Sequence, residues 1–472
     1  MPEGMQQRLH QHLFPGDRDE HGAVIAAGLA ATPRGVRLLA RDLHLAVDGH
    51  DYVSGVRGYK MLKANFVRDR ILECADERLV YLAVHNHLGR DEVEFSIDDL
   101  NSHQRGYPAL LDIARGLPVG ALVFAENAVA GDIWLPDGRR VDLTDMHIVG
   151  SRIKRLVPKL HRRTTVANIR YDRQARLFGD AGQHIIRAAK VGIIGVGGVG
   201  SLIAEYLAHL GVGHLVLIDP DRISISNLPR VVGSTPLDAL SWLAQEGNPH
   251  WVRKLAERRS KPKVRIAERM VHRIDPAIRV DAIFGNALHP DNAAKLTECD
   301  YIFLAADSMG ARLLFNAIVH QYLIPGAQLG SKVQVEPLSG EVLDAFSVVR
   351  PVTPERGCLW CNGLINPGKL QEEGQTALER QRQRYIDEPE VVAPSVITMN
   401  AVAAAHAVND FMFAITGLTS TAADTGYRRF RGPEREAWED EPRVSLDCPE
   451  CGRRGRGRFA KGDDWHLPTW AK

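Results

Sequence analysis

The chain lacks any run of about eighteen apolar residues, so no membrane-spanning helix is expected. Its first stretch, MPEGMQQRLHQHLFPGD, has no apolar core of a secretory signal. Cysteine is scarce, six in 472 residues, which excludes a secreted disulfide scaffold and makes the cytoplasm the expected compartment. An excess of one charge is also missing. Lys plus Arg (59) nearly equals Asp plus Glu (58), so nothing global points to nucleic acid or an anionic membrane surface. The basic run Lys154 to Arg163 has no flanking aromatic ladder of the kind that single-stranded nucleic acid needs. At this length a single core is not expected, and two or three domains are.

What is present centres on Lys190 to Ser201, KVGIIGVGGVGS. Val191 to Ile194 reads as a buried parallel strand, and Gly195, Gly197 and Gly200 follow in G-x-G-x-x-G spacing. A helical stretch, LIAEYLAHLGV, and a second strand, HLVLID, ending at Asp219, complete a βαβ nucleotide unit. Such glycines let backbone N–H groups close on a phosphate at the positive end of a helix, while the acid meets ribose hydroxyls. The fingerprint alone suits NAD or FAD. The flanking residues argue for ATP: Arg170-Tyr171-Asp172-Arg173-Gln174, Asp221, Asn227, Arg230, Lys261, Lys263, and a strand Tyr301 to Ala306 that runs into Asp307. Cleavage between the α- and β-phosphates needs cations on the triphosphate and an acid for Mg²⁺. Taken singly, Arg173 also reads as a surface salt-bridge residue and Asp307 as a helix N-cap.

From about Arg170 to about Gly417 these motifs resemble the ThiF/MoeB family, the adenylation domain of ubiquitin-activating enzymes and sulfur-carrier adenylyltransferases. The resemblance implies a Rossmann-like doubly wound α/β domain. It implies Asp219 on the ribose, Asn227, Arg230 and Lys263 on the phosphates, and Asp307 on Mg²⁺. Arg173 would reach across a homodimer into the neighbouring ATP. The reaction implied is attack of a ubiquitin-like protein's C-terminal glycine carboxylate on the α-phosphate. The stretch Val231 to Arg259 is longer than the family's, which leaves Lys261 as a rival to Lys263.

Residues 1–150 read as a separate α/β unit, with strands at 22–28, 36–45, 79–84 and 121–124 and a helix at 59–74. The buried strand LVYLAV runs into His85-Asn86-His87, and Ser96, Asp98 and Asp99 open a helix. Two histidines at i and i+2 on an extended segment face one side, as two ligands of one ion must. This is similar to the JAB/MPN (JAMM) metalloprotease pattern. The resemblance implies zinc on His85, His87 and Asp99 (or Asp98), Ser96 at the oxyanion and Glu20 as general base. The eight residues between His87 and Ser96 are one more than usual for that family, and its proline after the second histidine is Leu88 here.

A hairpin turning at Pro136-Asp137-Gly138 closes this unit, and residues 151–168 read as a basic linker. The adenylation domain spans 169–425, with helices at 264–274 and 312–322, a strand at 278–284, a solvated helix at 371–385 and a buried alanine-rich helix at 395–417. Residues 426–472 read as a charged tail. Cys358-Leu-Trp-Cys361 and Cys448-Pro-Glu-Cys451 are two C-x-x-C knuckles, the signature of a closed structural zinc site. Cys74 and Cys299 read as packing, so no thioester on this chain is expected and a conjugating enzyme or sulfur donor would take the acyl group. Both halves point at one substrate, a ubiquitin-like protein matured or deconjugated by the first and activated by the second. The alternatives are a sulfur-carrier adenylyltransferase making a thiocarboxylate, and a scaffold that binds ubiquitin-like proteins without chemistry.

Overall fold

The computed structural model describes residues 1–472 except 54–60, 160–167, 337–338, 375–393, 421–425, 454–456 and 471–472. It divides into two units, one of Met1–Thr164, His320–Leu323 and Gly452–His466, the other of Thr165–Val319, Ile324–Cys451 and Leu467–Lys472. Among the described residues no helix is long and apolar enough to cross a membrane.

In the first unit α1 (Glu3–Leu13) precedes a long hairpin of β1 (Gly22–Thr32) and β2 (Gly35–Leu45). Then come α2 (Ala64–Asp76), β3 (Val80–Asn86), α3 (Ile97–Ile113), β4 (Val119–Phe124), β5 (Val129–Trp134), β6 (Arg140–Asp142), β7 (Met146–Val149) and β8 (Ile153–Leu156). The sheet order is β2-β1-β3-β4-β5-β6. Only β3 and β4 pair in parallel, and α3 is the crossover that joins them. Alternation along β1 divides its side chains between two cores. Ala23, Ile25 and Ala27 meet Met5, Leu9 and Leu13 of α1 and Ile148 and Leu156 of the last hairpin. Val24 and Ala26 meet Ile71 and Cys74 of α2 and Tyr107 of α3.

Two boundaries differ from expectation. The segment expected as a basic linker from 151 begins as β8, because Leu156 is apolar and buried while Lys154 and Arg155 flank it on the strand. Part of the expected tail belongs to this unit. Gly462 bridges Leu29, Asp463 N–H donates to Leu29 O at 2.8 Å, and a Cβ on Gly28 would lie 1.9 Å from Ala460 O. A register shift between Ala26 and Ala27 leaves Arg41 as the extra residue of a bulge. Its buried guanidinium donates to Gly457 O and Phe459 O.

The second unit runs α4 (Asp172–Ala188), β9 (Lys190–Ile194), α5 (Gly198–Leu210), β10 (His214–Asp219), α6 (His250–Arg259), α7 (Lys263–Ile274), β11 (Arg279–Phe284), α8 (Pro290–Leu296) and β12 (Tyr301–Leu304). It continues with α9 (Met309–Tyr322), β13 (Gly326–Val335), β14 (Val342–Val352), α10 (Pro367–Gly374), α11 (Ile397–Ile415), β15 (Tyr427–Arg431) and β16 (Glu436–Asp440). The sheet order is β11-β10-β9-β12-β13-β14-β15-β16, parallel from β11 to β13 and antiparallel beyond. The chain winds outward from β9 through β10 to β11, then returns to β12 on the other side. The switch point therefore lies between β9 and β12, where open α/β sheets bind ligands. The five residues of β9 are all buried. On α5, Leu202, Ala204, Leu207 and Ala208 are buried as their spacing predicts.

The expected tail opens with two strands, β15 and β16. Its arginines hid the strand, and each has a neighbour: Arg428 pairs with Asp410, Arg431 with Asp344, and Arg429 lies over the Phe346 ring. The expected helix at 371–385 is helical to Gly374, and its part from 375 lies outside the described residues.

Candidate functional site

The glycine turn stands at the switch point, and its backbone is tight where a side chain would collide. Gly195 has φ +88°, and a Cβ there would lie 2.8 Å from Ala306 N, across the crevice on the loop after β12. A Cβ on Gly200 would lie 1.9 Å from Gly195 O. At Gly197, the N-cap of α5, a Cβ would meet nothing within 4 Å. The turn is thus packed from behind and open at the helix N-terminus, the disposition that suits a phosphate.

Asp219 ends β10 and is 4% exposed. Its Oδ2 accepts the Val196 N–H at 2.6 Å and its Oδ1 the Asp221 N–H at 2.8 Å. Burial pushes its carboxyl up, opposed by nearby Lys263 and by these two bonds. The residue expected on the ribose therefore also latches the glycine turn. Lys263, first residue of α7, places Nζ 2.7 Å from Asp221 Oδ2, with its side chain 11% exposed. Lys261 instead pairs with Asp238 at 3.2 Å, and Asp238 is held by both Nη1 and Nη2 of Arg269. The two lysines therefore stand in different places. Lys263 faces the Asp219–Asp221 corner, and Lys261 anchors the longer stretch.

Arg230 lies beside the helix start, its Cδ 3.4 Å from where a Gly198 Cβ would stand. Asn227 closes a local box on Ser224, its Oδ1 accepting the Ser224 N–H at 3.3 Å. In the R-Y-x-R-Q element the structure separates anchors from Arg173. Tyr171 OH donates to Asp275 at 2.7 Å, Arg170 to Ile274 O at 2.9 Å and Gln174 to Leu210 O at 2.9 Å, while Arg173 is exposed. Asp307 is exposed after β12 and does not cap α9. Ser308 Oγ accepts the Ala311 N–H at 3.2 Å, and Glu373 of α10 accepts from Met309 and Gly310 N–H at 2.8 and 2.9 Å.

The four knuckle sulfurs converge. Cys358 Sγ is 3.9 Å from Cys448 Sγ, Cys361 Sγ is 3.6 Å from Cys451 Sγ, and all four lie within 4.8 Å of one another. Tetrahedral zinc with bonds of about 2.3 Å requires sulfurs about 3.8 Å apart, so the set fits a zinc ion. Leu359 N–H donates to Asn316 Oδ1 at 2.8 Å, and Tyr427 OH donates to Gly357 O at 2.7 Å, fixing the first knuckle to α9 and β15.

The sequence profile of the ThiF family matches residues 171–452. The chain belongs to the ThiF family. Among curated relatives, a sulfur carrier protein adenylyltransferase of Thermus thermophilus is 28% identical over 40% of this chain and 66% of its own length. A molybdopterin-synthase adenylyltransferase of Escherichia coli is 34% identical over 32% of this chain and 53% of its own length. The chain thus spans half to two thirds of these relatives. The crystal structure of Escherichia coli MccB with MccA-N7isoASN is similar over 61% of this chain and 76% of that one, at 19% identity and a TM-score of 0.45.

Outside the ThiF match, the N-terminal unit gathers a second centre. His85 near the end of β3 and His87 just beyond it place their Nε2 atoms 3.2 Å apart. Asp99 Oδ1 lies 3.5 Å from His85 Nε2, and Oδ2 lies 3.3 Å from His87 Nε2. His87 Nδ1 is 3.1 Å from Glu94 O, a contact that leaves Nε2 for a metal. Asp98 is exposed and outside this group, so Asp99 is the carboxylate the fold brings in. Burial pushes Asp99 up, but hydrogen bonds from His85, His87 and Ser96 outweigh it and hold the carboxyl far below its usual range. Glu20 lies 4.0 Å from His87, and burial raises its carboxyl. Ser96 is the N-cap of α3, and its Oγ donates to Asp99 Oδ2 at 2.7 Å. Two histidine nitrogens and a carboxylate within 4.8 Å fit the donor set of an open zinc site.

Sequence reasoning missed Asn400 and Glu373. Asn400, 1% exposed on α11, places Nδ2 2.5 Å from where a Gly198 Cβ would stand and accepts from Ser331 Oγ at 2.6 Å. The signal was an amide near the start of an alanine-rich, apolar helix. Glu373 carried no signal, since it sits in a polar run and acts through a contact 63 and 64 residues away. Cys74 and Cys299 are buried, and burial pushes the Cys74 thiol up to about 12.

Proposed function

We propose that the ThiF unit uses ATP and Mg²⁺ to adenylate the C-terminal glycine carboxylate of a small ubiquitin-like carrier protein. The observation that carries this reading is the glycine turn latched by Asp219, with Lys263 at the same corner and Asp307 open at the end of β12. A carboxylate is already a nucleophile, so the barrier is charge repulsion, and cations with a metal lower it. Gly195, Gly197 and Gly200 would seat the phosphates, Asp219 and Asp221 the ribose side, Arg230, Asn227 and Lys263 the triphosphate, and Asp307 the Mg²⁺. Arg173, exposed, would serve a neighbouring copy in a homodimer.

The relatives, adenylyltransferases of a sulfur carrier protein and of molybdopterin synthase, favour onward sulfur transfer over protein conjugation. The cysteines support the same direction, since Cys74 and Cys299 are buried and the other four share one cluster. The acyl-adenylate would then pass to a sulfur donor or to a partner's thiol. ATP–pyrophosphate exchange in the presence of the carrier tests the reading. Carrier-dependent exchange is expected, and its absence with every carrier ending in glycine would refute it.

The His85, His87 and Asp99 group favours a second activity, a zinc peptidase cleaving after the same terminal glycine. When bound, zinc lowers the pKa of its water so that hydroxide exists near neutrality. Glu20, 4.0 Å from His87 and with its carboxyl raised by burial, would stand as the general base. Hydrolysis of a carrier fusion, lost on chelation, is the expected result.

A further inference from the structure

His103 lies on α3 one turn beyond Asp99, and it is 6% exposed. Its Nδ1 is 2.8 Å from Asp132 Oδ2. Asp132, on β5 and 3% exposed, also accepts from Trp134 Nε1 at 3.2 Å and from Arg140 Nε and Nη2 at 3.0 and 2.8 Å. The carboxylate is therefore held from several directions and cannot swing. The His103 ring stacks on Tyr107, centroids 4.6 Å apart, and meets Phe95 edge-on at 5.1 Å. Phe95 in turn lies 6.1 Å from the His85 ring.

Asp99 has two tasks that pull against each other. Its Oδ2 closes the capping box, accepting the Ser96 N–H at 2.8 Å, and both its oxygens approach the histidine pair. Residues four apart share a helix face, so His103 and Asp99 lie on one side of α3. Fixing His103 to β5 therefore fixes the rotation and axial position of the turn that carries Asp99. An apolar pair of similar volume would serve stability as well as or better than this buried ionic cluster. The ionic tie gives instead a directional constraint.

We propose that Asp132 and His103 are the positioning pair of the metal centre, setting α3 so that Asp99 completes the site with His85 and His87. The proposal rests on reading that centre as a metal site. The metal alone tests it, in the full chain. Cobalt titration separates the two centres, because thiolate-to-cobalt charge transfer marks the four-cysteine site and weaker visible bands mark the His/Asp site. H103A and D132N are expected to weaken cobalt and zinc at the His/Asp site by about 10–100-fold. H103N, whose amide can still donate to Asp132, is expected to recover most of the loss, and the thiolate band is expected to stay. Should H103A or D132N fold, melt at a lower temperature and yet bind cobalt within about twofold of the parent, the pair is only a core ion pair and the proposal fails. If H103A does not fold, D132N and H103N give the same reading. H85A examines the underlying assignment with the pair intact: full retention of the visible bands there would overturn the metal centre itself.

Discussion

Val196 N–H and Asp219 Oδ2 meet at 2.6 Å, so the acid at the end of β10 holds the glycine turn at the end of β9. A buried bond to a carboxylate contributes about 1.5–3 kcal/mol. D219A is expected to weaken ATP binding by about 10–100-fold, read by calorimetry, and D219N by less, since its amide oxygen can still accept one N–H. Equal ATP affinity in D219A and the parent would mean that the turn needs no latch.

The two lysines separate cleanly. K263A is expected to lower ATP affinity about tenfold or more through loss of a cation beside the Asp219–Asp221 corner. K261A is expected to change it by less than about twofold, because Lys261 is engaged with Asp238. The reverse order would assign the phosphate contact to Lys261.

Asp307 is open to solvent on the loop after β12. D307A is expected to abolish pyrophosphate exchange while ATP still binds. H87A is expected to spare exchange and end cleavage of a carrier fusion. Exchange at the parent rate in D307A would remove it from the metal.

Acid should weaken the N-terminal unit through Asp132. Burial pushes its carboxyl up, but hydrogen bonds from His103, Arg140 and Trp134 outweigh it and hold it at about 2, below the ordinary 3.8. A carboxyl depressed in the folded state contributes stability above its unfolded value. That stability is lost as pH falls from about 4 toward 2. The gap corresponds to about 2 kcal/mol. Melting scans of D132N against the parent are expected to differ at pH 6 and to converge near pH 2, and a constant difference across that range would exclude the linkage.

Removing zinc from the four-cysteine cluster is expected to lower the melting temperature of the ThiF unit by about 10 °C or more, since structural zinc contributes several kcal/mol to folding. C448S should reproduce the effect of a chelator. Unchanged melting after complete zinc removal, shown by metal analysis, would make the cluster dispensable to the fold.

The nucleotide half was legible because its signals are local. Gly195, Gly200 and Asp219 stand within one βαβ unit, and each of these two glycines sits where the backbone leaves no room for a Cβ. The His-x-His pair was legible for the same reason, since a strand sends alternate side chains to one side. Missed features depend on distant partners. Tyr427–Arg431 reads as charged tail until Asp410, Asp344 and Phe346 are placed beside its arginines. Asn400 and Glu373 gain meaning only where α11 and α10 reach the starts of α5 and α9. His103 carries no local signal, because its partner Asp132 is 29 positions away.

The segment lying along β1 has a consequence for how the protein is made. Ala31 N–H is satisfied by Asp463 Oδ2, a residue 432 positions later. At about 5–20 residues per second, a ribosome takes tens of seconds or more to supply it. Until then part of an early strand stands uncovered, an edge on which nascent chains can associate. Chaperone dependence during synthesis should therefore concentrate on the first unit, and chains whose translation stops before residue 452 should be the ones that aggregate.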